Sequence, residues 1–333
     1  MLATTRAGSP RPSGDLVVQR VSLILLAYRQ QATAGAAARA ALAQSGDAIE
    51  VLLSDDCSPD GTFEAMRMVA ASYDGPHTVS LRRTTANSGL VQHLEEAVRA
   101  ATGDLVVIAA GDDISLPNRV ERLVTAWTSC GGGSAYLYSD VHPICGDGSR
   151  TPWPARERVY TGSHSLAGMV GGAIAALGAS AAFTRDLVTR FEPIRATVRH
   201  EDRVLPFRAT LLGGRVIYVD EPLVEYRLEG GISRNLPVSK ADYLHRWTRE
   251  INTRTIEDAR QRLDDARAIG AAPAVLRTCR RAIIHQQAMI DLAQSSGFGT
   301  ERAVMAGLLG GARPSRLVPH YLKMRLPIRR RDL

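Results

Sequence analysis

The chain has 333 residues, 45% hydrophobic and 23% charged, a balance that fits a globular protein of one large or two smaller domains and excludes wholesale disorder. Its formal charge is +7, but Arg313, Arg316, Lys323, Arg325, Arg329, Arg330 and Arg331 face only Asp332 after residue 312, leaving about +1 for everything before. A nucleic-acid enzyme spreads positive charge over its working face, so no nucleic-acid partner is expected.

Residues 1–16 contain early glycine and proline breaks and no apolar run, and read as a flexible tail rather than a secretory leader. The apolar stretch 21–27 is a buried strand, with Tyr28-Arg29-Gln30 at its carboxyl end. An alanine-rich helix is expected over 32–44 and a second strand over 49–54. That strand runs into Asp55-Asp56-Cys57-Ser58-Pro59-Asp60-Gly61-Thr62, a sharp turn followed by a helix start, with the helix over 63–72. A short strand at 78–81 leads through Arg82-Arg83 and Asn87-Ser88-Gly89 to a helix over 90–101, closed by Thr102-Gly103.

The next strand, 105–110, ends in Gly111-Asp112-Asp113. Ligands of an open parallel sheet sit beyond the carboxyl ends of its strands. Two acids there serve either a divalent cation holding a phosphate-bearing ligand or the free amides of a helix start. Strands alternating with helices over about 110 residues predict an α/β, doubly wound parallel sheet. No G-x-G-x-x-G follows the first strand, which argues against a dinucleotide fold.

Beyond a helix at 118–129 the pattern is less regular, with strands at 135–139 and 216–219, a turn at Asp147-Gly148 and a short helix at 185–190. The uncharged stretch 165–183 is too rich in glycine and alanine for a membrane span; it reads as a buried segment beneath a site, and no transmembrane helix is expected. His200-Glu201-Asp202 opens an amphipathic helix with Val204, Leu205, Phe207, Leu211 and Leu212 at helical spacing. From residue 241 the chain is helical and charged, and Pro273 splits two long helices. The cysteines, Cys57, Cys130, Cys145 and Cys279, form no C-x-x-C pair, so neither a zinc site nor a disulfide framework is indicated and a reducing cytoplasm is the simplest setting.

Four landmarks stand in order: Leu26-Ala27-Tyr28-Arg29, the 54–62 turn with Asp55 and Asp56, Gly111-Asp112-Asp113, and His200-Glu201-Asp202. With the run from Ile217 to Arg227, they resemble the family 2 inverting glycosyltransferases of GT-A fold over roughly residues 19–234. The resemblance implies a mostly parallel sheet flanked by helices with a C-terminal helical extension. Its units are a tail (1–16), a transferase domain (17–236, nucleotide-binding half 17–115 and acceptor half 116–236), a helical extension (237–312) and a basic amphipathic tail (313–333).

It also implies a nucleotide-diphosphate sugar donor, UDP-linked in the favoured reading, with dTDP- or GDP-sugars as alternatives. Asp56, beside Asp55, would bind the base; Ala27 and Tyr28 would touch the nucleoside, and Arg83 and Asn87 would add donor contacts. Asp112 would ligate Mg²⁺ or Mn²⁺ bridging the donor phosphates, with Asp113 supporting it or reaching the sugar. Asp202, or in second place Glu201, would deprotonate the acceptor hydroxyl, and a single displacement inverts the anomeric carbon. The bland reading of Glu201-Asp202 is favourable charge in the first turn of a helix, and His200 is given no role. Trp153 and Tyr160 are read as core residues before groove residues.

Two positions depart from the family pattern: Ala110 stands where the motif begins with an acid, and Glu229 or glycine occupies the region of a usual histidine. The metal site would then rest on Asp112, donor oxygens and water, with Glu229 an addition. A non-catalytic nucleotide-sugar-binding or scaffold subunit is the alternative. The tail, where Leu317, Val318, Tyr321, Leu322, Met324, Leu326 and Ile328 interleave with basic residues, reads either as an anionic-membrane contact or as a solvated segment. Expected partners are therefore the donor, a saccharide or lipid-linked saccharide acceptor, and the inner face of the cell membrane.

Overall fold

A computed structural model describes residues 20–152, 169–170, 176–228, 252–294, 299–311 and 314–325. In chain order the first elements are β1 (Val21–Ala27), α1 (Ala34–Leu42), β2 (Glu50–Asp55), α2 (Thr62–Ala71), β3 (Thr78–Arg83), α3 (Leu90–Ala100) and β4 (Leu105–Ala110). These match the expected elements to within about two residues at each end, apart from Arg82-Arg83, which belong to β3. Then come β5 (Ile114–Ser115), α4 (Arg119–Ser129), β6 (Ala135–Ile144), β7 (Ala182–Thr184), α5 (Asp186–Thr189), α6 (Glu201–Leu211) and β8 (Arg215–Arg227). The helices α7 (Asn252–Ala268), α8 (Pro273–Gln294), α9 (Gly299–Leu309) and α10 (Pro314–Arg325) complete the described chain.

The strands form one eight-stranded sheet in the order β3-β2-β1-β4-β7-β6-β8-β5. The first four run parallel, with Leu25 opposite Leu53 and Ala109. Side-chain alternation sorts them onto two faces. Leu23, Leu25, Val51, Leu53, Leu105 and Val107 share one core with α1, α2 and α4. Ile24, Leu26, Leu52, Val106 and Ile108 share the other with α3 and α6. Strands covered on both sides must be apolar at nearly every position, which is why this region reads as continuous hydrophobic runs. Winding goes outward from β1 to β3 and resumes on its other side at β4, so the crevice for a ligand opens where β1 and β4 end.

The second half is mixed. β7 runs antiparallel to β4 and β6, β8 runs parallel to β6, and β5 pairs antiparallel with the end of β8. Two expectations are corrected here. The strand expected at 135–139 continues to Ile144, and Val216–Val219 joins Leu223–Arg227 in one strand; register shifts around Asp140 absorb the intervening Asp220-Glu221-Pro222. The α6 helix is not amphipathic: Val204, Leu205, Pro206, Phe207, Arg208 and Ala209 are buried in succession, because the sheet covers one side and α7 another.

Burial of Arg208 is met by a bidentate pair with Asp265 of α7, at 2.9 and 3.0 Å. Two further donors go to the carbonyls of Leu187 and Glu192, Glu95 lies 4.0 Å away, and its guanidinium lies 4.6 Å from the Phe191 ring centre. Removing one partner of a fully buried pair strands the other charge. Asp265→Ala is therefore expected to lower unfolding free energy by about 3–5 kcal/mol, read as a lower denaturant midpoint at unchanged slope. A loss below about 1 kcal/mol, the range of exposed pairs, would show that the pair is not buried in solution.

Candidate active site

The carboxyl ends of β1 and β2 leave the sheet through two left-handed, non-glycine residues, Arg29 (φ 55°) and Cys57 (φ 57°). Such backbone costs energy and persists only where neighbours hold it. Here the two turns are bonded to each other. Asp56 N donates to Ala27 O at 3.0 Å, Arg29 N to Ser58 Oγ at 3.0 Å, Gln30 N to Thr62 Oγ1 at 2.8 Å, and Gly61 N to Gln31 Oε1 at 3.0 Å. Asp55 is wholly buried; it accepts from Ser58 N at 2.9 Å and pairs with Arg83 Nε at 3.1 Å. Arg83 also donates to Ser58 O, so Asp55 and Arg83 together brace the turn.

Asp56 has an unexpected part. Its Oδ1 accepts from Thr84 Oγ1, Ser88 N and Ser88 Oγ, and its Oδ2 from Asn87 Nδ2 and Gly89 N, all at 2.9–3.1 Å. A carboxylate has about four lone-pair sites, so five donors leave none free for a base. Burial pushes this carboxyl up, but the amides of Ser88 and Gly89, aided by His93, outweigh it and hold it below the usual range. In this structure Asp56 and Asn87 clamp the 84–89 loop to the foot of α3. Tyr28, 37% exposed with Arg29 over its ring at 5.3 Å, is an open aromatic side chain on this side.

Gly111 follows β4 and crosses close over β1, its amide donating to Leu26 O at 2.9 Å. A Cβ there would overlap Gln30 Oε1 and come within 2.8 Å of Ala27 Cβ, so only glycine fits. This crossing sets Asp112, half-buried, beside Gln30, whose amide hydrogen-bonds its carboxylate. Burial raises Asp112 above the ordinary carboxylate range, with Gln30 and Arg227 partly offsetting it. Asp113, 5% exposed, is pushed up to about 7 by burial and then by the charge of Asp112. Its Oδ1 accepts the Arg227 amide at 2.8 Å, and Arg227 Nε donates to Asp112 O at 3.1 Å. The end of β8 thus fixes the Gly-Asp-Asp turn.

Among the described residues no cluster of three or more His, Cys, Asp or Glu side chains is placed to hold a metal. A Mg²⁺- or Mn²⁺-like ion still fits, because such ions take one or two carboxylates when phosphates and water complete the shell. Asp112 is the half-exposed carboxylate that would meet such an ion, and two adjacent carboxyls raised by burial are a pair that a cation would relieve. Ala110 closes β4 and offers no ligand.

Behind Asp113, the fully buried Arg119 donates to Ile108 O at 2.6 Å and Ala179 O at 3.0 Å. It reaches the turn before β7, where Gly178 lies against Glu201: a Cβ at Gly178 would overlap Glu201 Oε1. Glu201 and Asp202 open α6, half-buried side by side. Burial raises both; Asp202's charge raises Glu201 further, whereas Arg203 and His200 work against the rise at Asp202. One Asp202 oxygen is enclosed without a hydrogen-bond partner, as is the hydroxyl of Tyr136, which both acids help to keep protonated. His200 Nδ1 bonds Asp258 at 2.8 Å, and Arg203 lies 3.7 Å from the same carboxylate. Asp258 is fully buried on α7, so the C-terminal helices reach the residues flanking Asp202.

Bonds and close approaches run from Asp56 through Ala27 and Gly111 to Asp113, whose charge interacts with Arg119, and Arg119 reaches Ala179 beside Gly178, which lies against Glu201. Sequence reasoning missed Gln30, Arg119, Arg227 as an anchor, and Asp258. Gln30 was findable from its place inside the β1 turn; Asp258 carried no signal, being one charge among many on α7. Trp153, Tyr160 and Glu229 lie outside the described residues.

Residues 22–165 match the family model described as Glycosyl transferase family 2. EpsE of Bacillus subtilis (strain 168), which carries a glycosyltransferase name, is 33% identical over 105 residues, 32% of this chain and 37% of EpsE. The succinoglycan biosynthesis protein ExoO of Rhizobium meliloti (strain 1021) is 31% identical over 129 residues, 39% of this chain and 36% of ExoO. The matched region thus spans little more than a third of either relative. Among solved structures, S. aureus TarS 1–349 with UDP-GlcNAc superposes with a TM-score of 0.54 at 13% identity, covering 93% of both chains. The mannosyltransferase PcManGT of Pyrobaculum calidifontis, with GDP-Man and Mn²⁺, gives 0.51 at 20% identity, covering 93% of this chain and 81% of that one. These likenesses establish the GT-A-like fold.

Proposed function

Through residues 22–165 the chain belongs to the family 2 glycosyltransferases, and from that premise we propose that it transfers a sugar from a nucleotide-diphosphate donor to an acceptor hydroxyl with inversion. The observation that carries this reading is the run of bonds and close approaches from the β1 and β2 turns through Asp112-Asp113 to Glu201-Asp202. It supports a nucleotide end, a diphosphate position and a base along one crevice. UDP-sugars are the favoured donors, with dTDP- and GDP-sugars as alternatives. The likeness to the succinoglycan biosynthesis protein ExoO supports a place in polysaccharide assembly; the proposed acceptor is a saccharide, free or lipid-linked, met on the cytoplasmic side of the membrane.

In this mechanism Ala27, Tyr28 and the clamped 84–89 loop bound the nucleoside, and Asp55 and Arg83 keep the turn beneath it rigid. A divalent cation held by Asp112, with Asp113 behind it, would neutralise the diphosphate as charge builds on it during departure. Asp202 takes the acceptor proton while the acceptor oxygen bonds the anomeric carbon and the bond to the diphosphate breaks on the opposite face. Burial raises both acids; the charge of Asp202 raises Glu201 further, whereas Arg203 and His200 favour the anionic form at Asp202, which supports Asp202 as the base.

A panel of UDP-, dTDP- and GDP-sugars with Mg²⁺ or Mn²⁺ tests the proposal by release of nucleoside diphosphate. One donor class should bind and turn over. Tight binding without release, with any saccharide acceptor, would replace the proposal with a non-catalytic binding subunit, and no binding across the panel would overturn both.

A further inference from the structure

The last two helices, α9 and α10, are apolar on the wrong side. Their inner faces are already satisfied: Leu317 is buried with Ala288, Met289 and Leu292, and Val304, Leu308 and Tyr321 pack against that cluster. On the outer face, Met305 (56% exposed), Leu309 (83%), Val318 (37%) and Leu322 (46%) point to solvent. They recur at i, i+4 on each helix, and they are four of the seven large apolar side chains exposed among the described residues. Single exposed apolar residues need no explanation, but a concentration within 18 residues does.

Charge indicates the occupant. From residue 302 to 331 there are eight basic residues (Arg302, Arg313, Arg316, Lys323, Arg325, Arg329, Arg330 and Arg331) and no acid. Glu301, just before this run, is turned inward and accepts from the Tyr321 hydroxyl at 3.1 Å. A second copy on this face would oppose positive charge to positive charge, since a twofold contact uses the same patch twice. An anionic lipid surface meets both properties at once: basic groups sit among the headgroups and apolar groups reach the acyl boundary. No helix of the described residues is long and apolar enough to cross a membrane, so the contact is interfacial.

We propose that the outer face of α9 and α10 docks on an anionic bilayer, with Met305, Leu309, Val318 and Leu322 entering the interface and Arg302 beside them. This contact begins a full helix earlier than the basic tail alone. It is independent of the transfer reaction.

The full chain tests it by co-sedimentation with phosphatidylcholine vesicles, with and without phosphatidylglycerol. Wild type should sediment only with the anionic vesicles and be released by high salt. The double variant Met305→Glu/Leu309→Glu should lose about tenfold or more of that binding, and Leu322→Glu should lose part of it. Both should melt as wild type does, because these side chains lie outside the buried cluster of Ala288, Met289, Leu292 and Leu317. Wild type left in the supernatant would overturn the proposal, as would undiminished binding by the double variant. So would a wild-type dimer, seen by light scattering, that the double variant dissociates, since that would make the face a self-contact.

Discussion

Asp202→Asn is expected to lower transfer by about 10²- to 10⁴-fold, the range a positioned general base supplies, or about 3–5 kcal/mol of barrier. Donor binding should stay near wild type, because the proposed diphosphate and nucleoside positions lie on other strands. The variant should also be no less stable at neutral pH, and the sign follows from burial. A carboxyl raised in the folded state binds its proton more tightly there than when unfolded. The wild type is then most stable below the unfolded value near 4 and loses stability as pH rises toward the folded one. An amide removes that cost. Low activity with an unchanged or higher melting point therefore identifies a base, whereas low activity with a fallen melting point identifies a structural acid.

The same shift predicts that wild-type kcat/KM falls on acidification at a midpoint above the ordinary carboxylate range. Burial, and to a smaller extent Asp258 from α7, raise that midpoint, while Arg203 and His200 lower it. Turnover unchanged in Asp202→Asn would sink the assignment, and Glu201→Gln would then be the variant to test for the base.

Asp112→Ala is expected to weaken donor binding at saturating Mn²⁺ by on the order of 10²-fold, the upper range for losing even a supporting group at a metal site. It should also abolish any stimulation of donor binding by Mn²⁺. Calorimetry of nucleoside diphosphate binding, with and without the ion, separates these effects from catalysis. The reasoning rests on supply: Ala110 brings no carboxylate, and Asp113 already holds the Arg227 amide. Asp112 is therefore the half-exposed carboxyl that remains at the end of β4. Full Mn²⁺ dependence in Asp112→Ala would move the ion elsewhere. Equal donor affinity in wild type with and without metal would mean that Arg and amide groups neutralise the diphosphate.

Much of the first half was legible in the sequence for one physical reason. Strands covered on both faces must be apolar throughout, so β1, β2 and β4 stand out from the helices between them, and acids at their carboxyl ends are conspicuous. The site landmarks were visible for the same reason: Asp55-Asp56, Gly111-Asp112-Asp113 and Glu201-Asp202 each interrupt an apolar element. What each acid does was less legible. Asp56 reads like a ligand contact but is saturated by Ser88, Gly89 and their neighbours, because a turn's own amides compete for the same oxygens as a base. The helical spacing in α6 suggested one wet face, yet Arg208 sits in that face and is buried. Its partner, Asp265, lies on a helix that buries Asp258, Gln261, Arg262 and Asp265 beside Ile256, Ala259, Leu263 and Ala266. Hydrophobic periodicity reports only the apolar half of such a buried face, not the charges packed beside it.

Those buried charges also bear on how such chains exchange parts. Arg208 and Asp265 are 57 residues apart, one on the helix that carries the proposed base and the other in the C-terminal helices. A chimera that grafted the α7–α10 helices of a relative onto this transferase core would leave Arg208 without its bidentate partner, with only Glu95 at 4.0 Å, unless an acid arrived at the matching place. The two segments are therefore exchangeable only as a matched set, and variation at either position is constrained by the other.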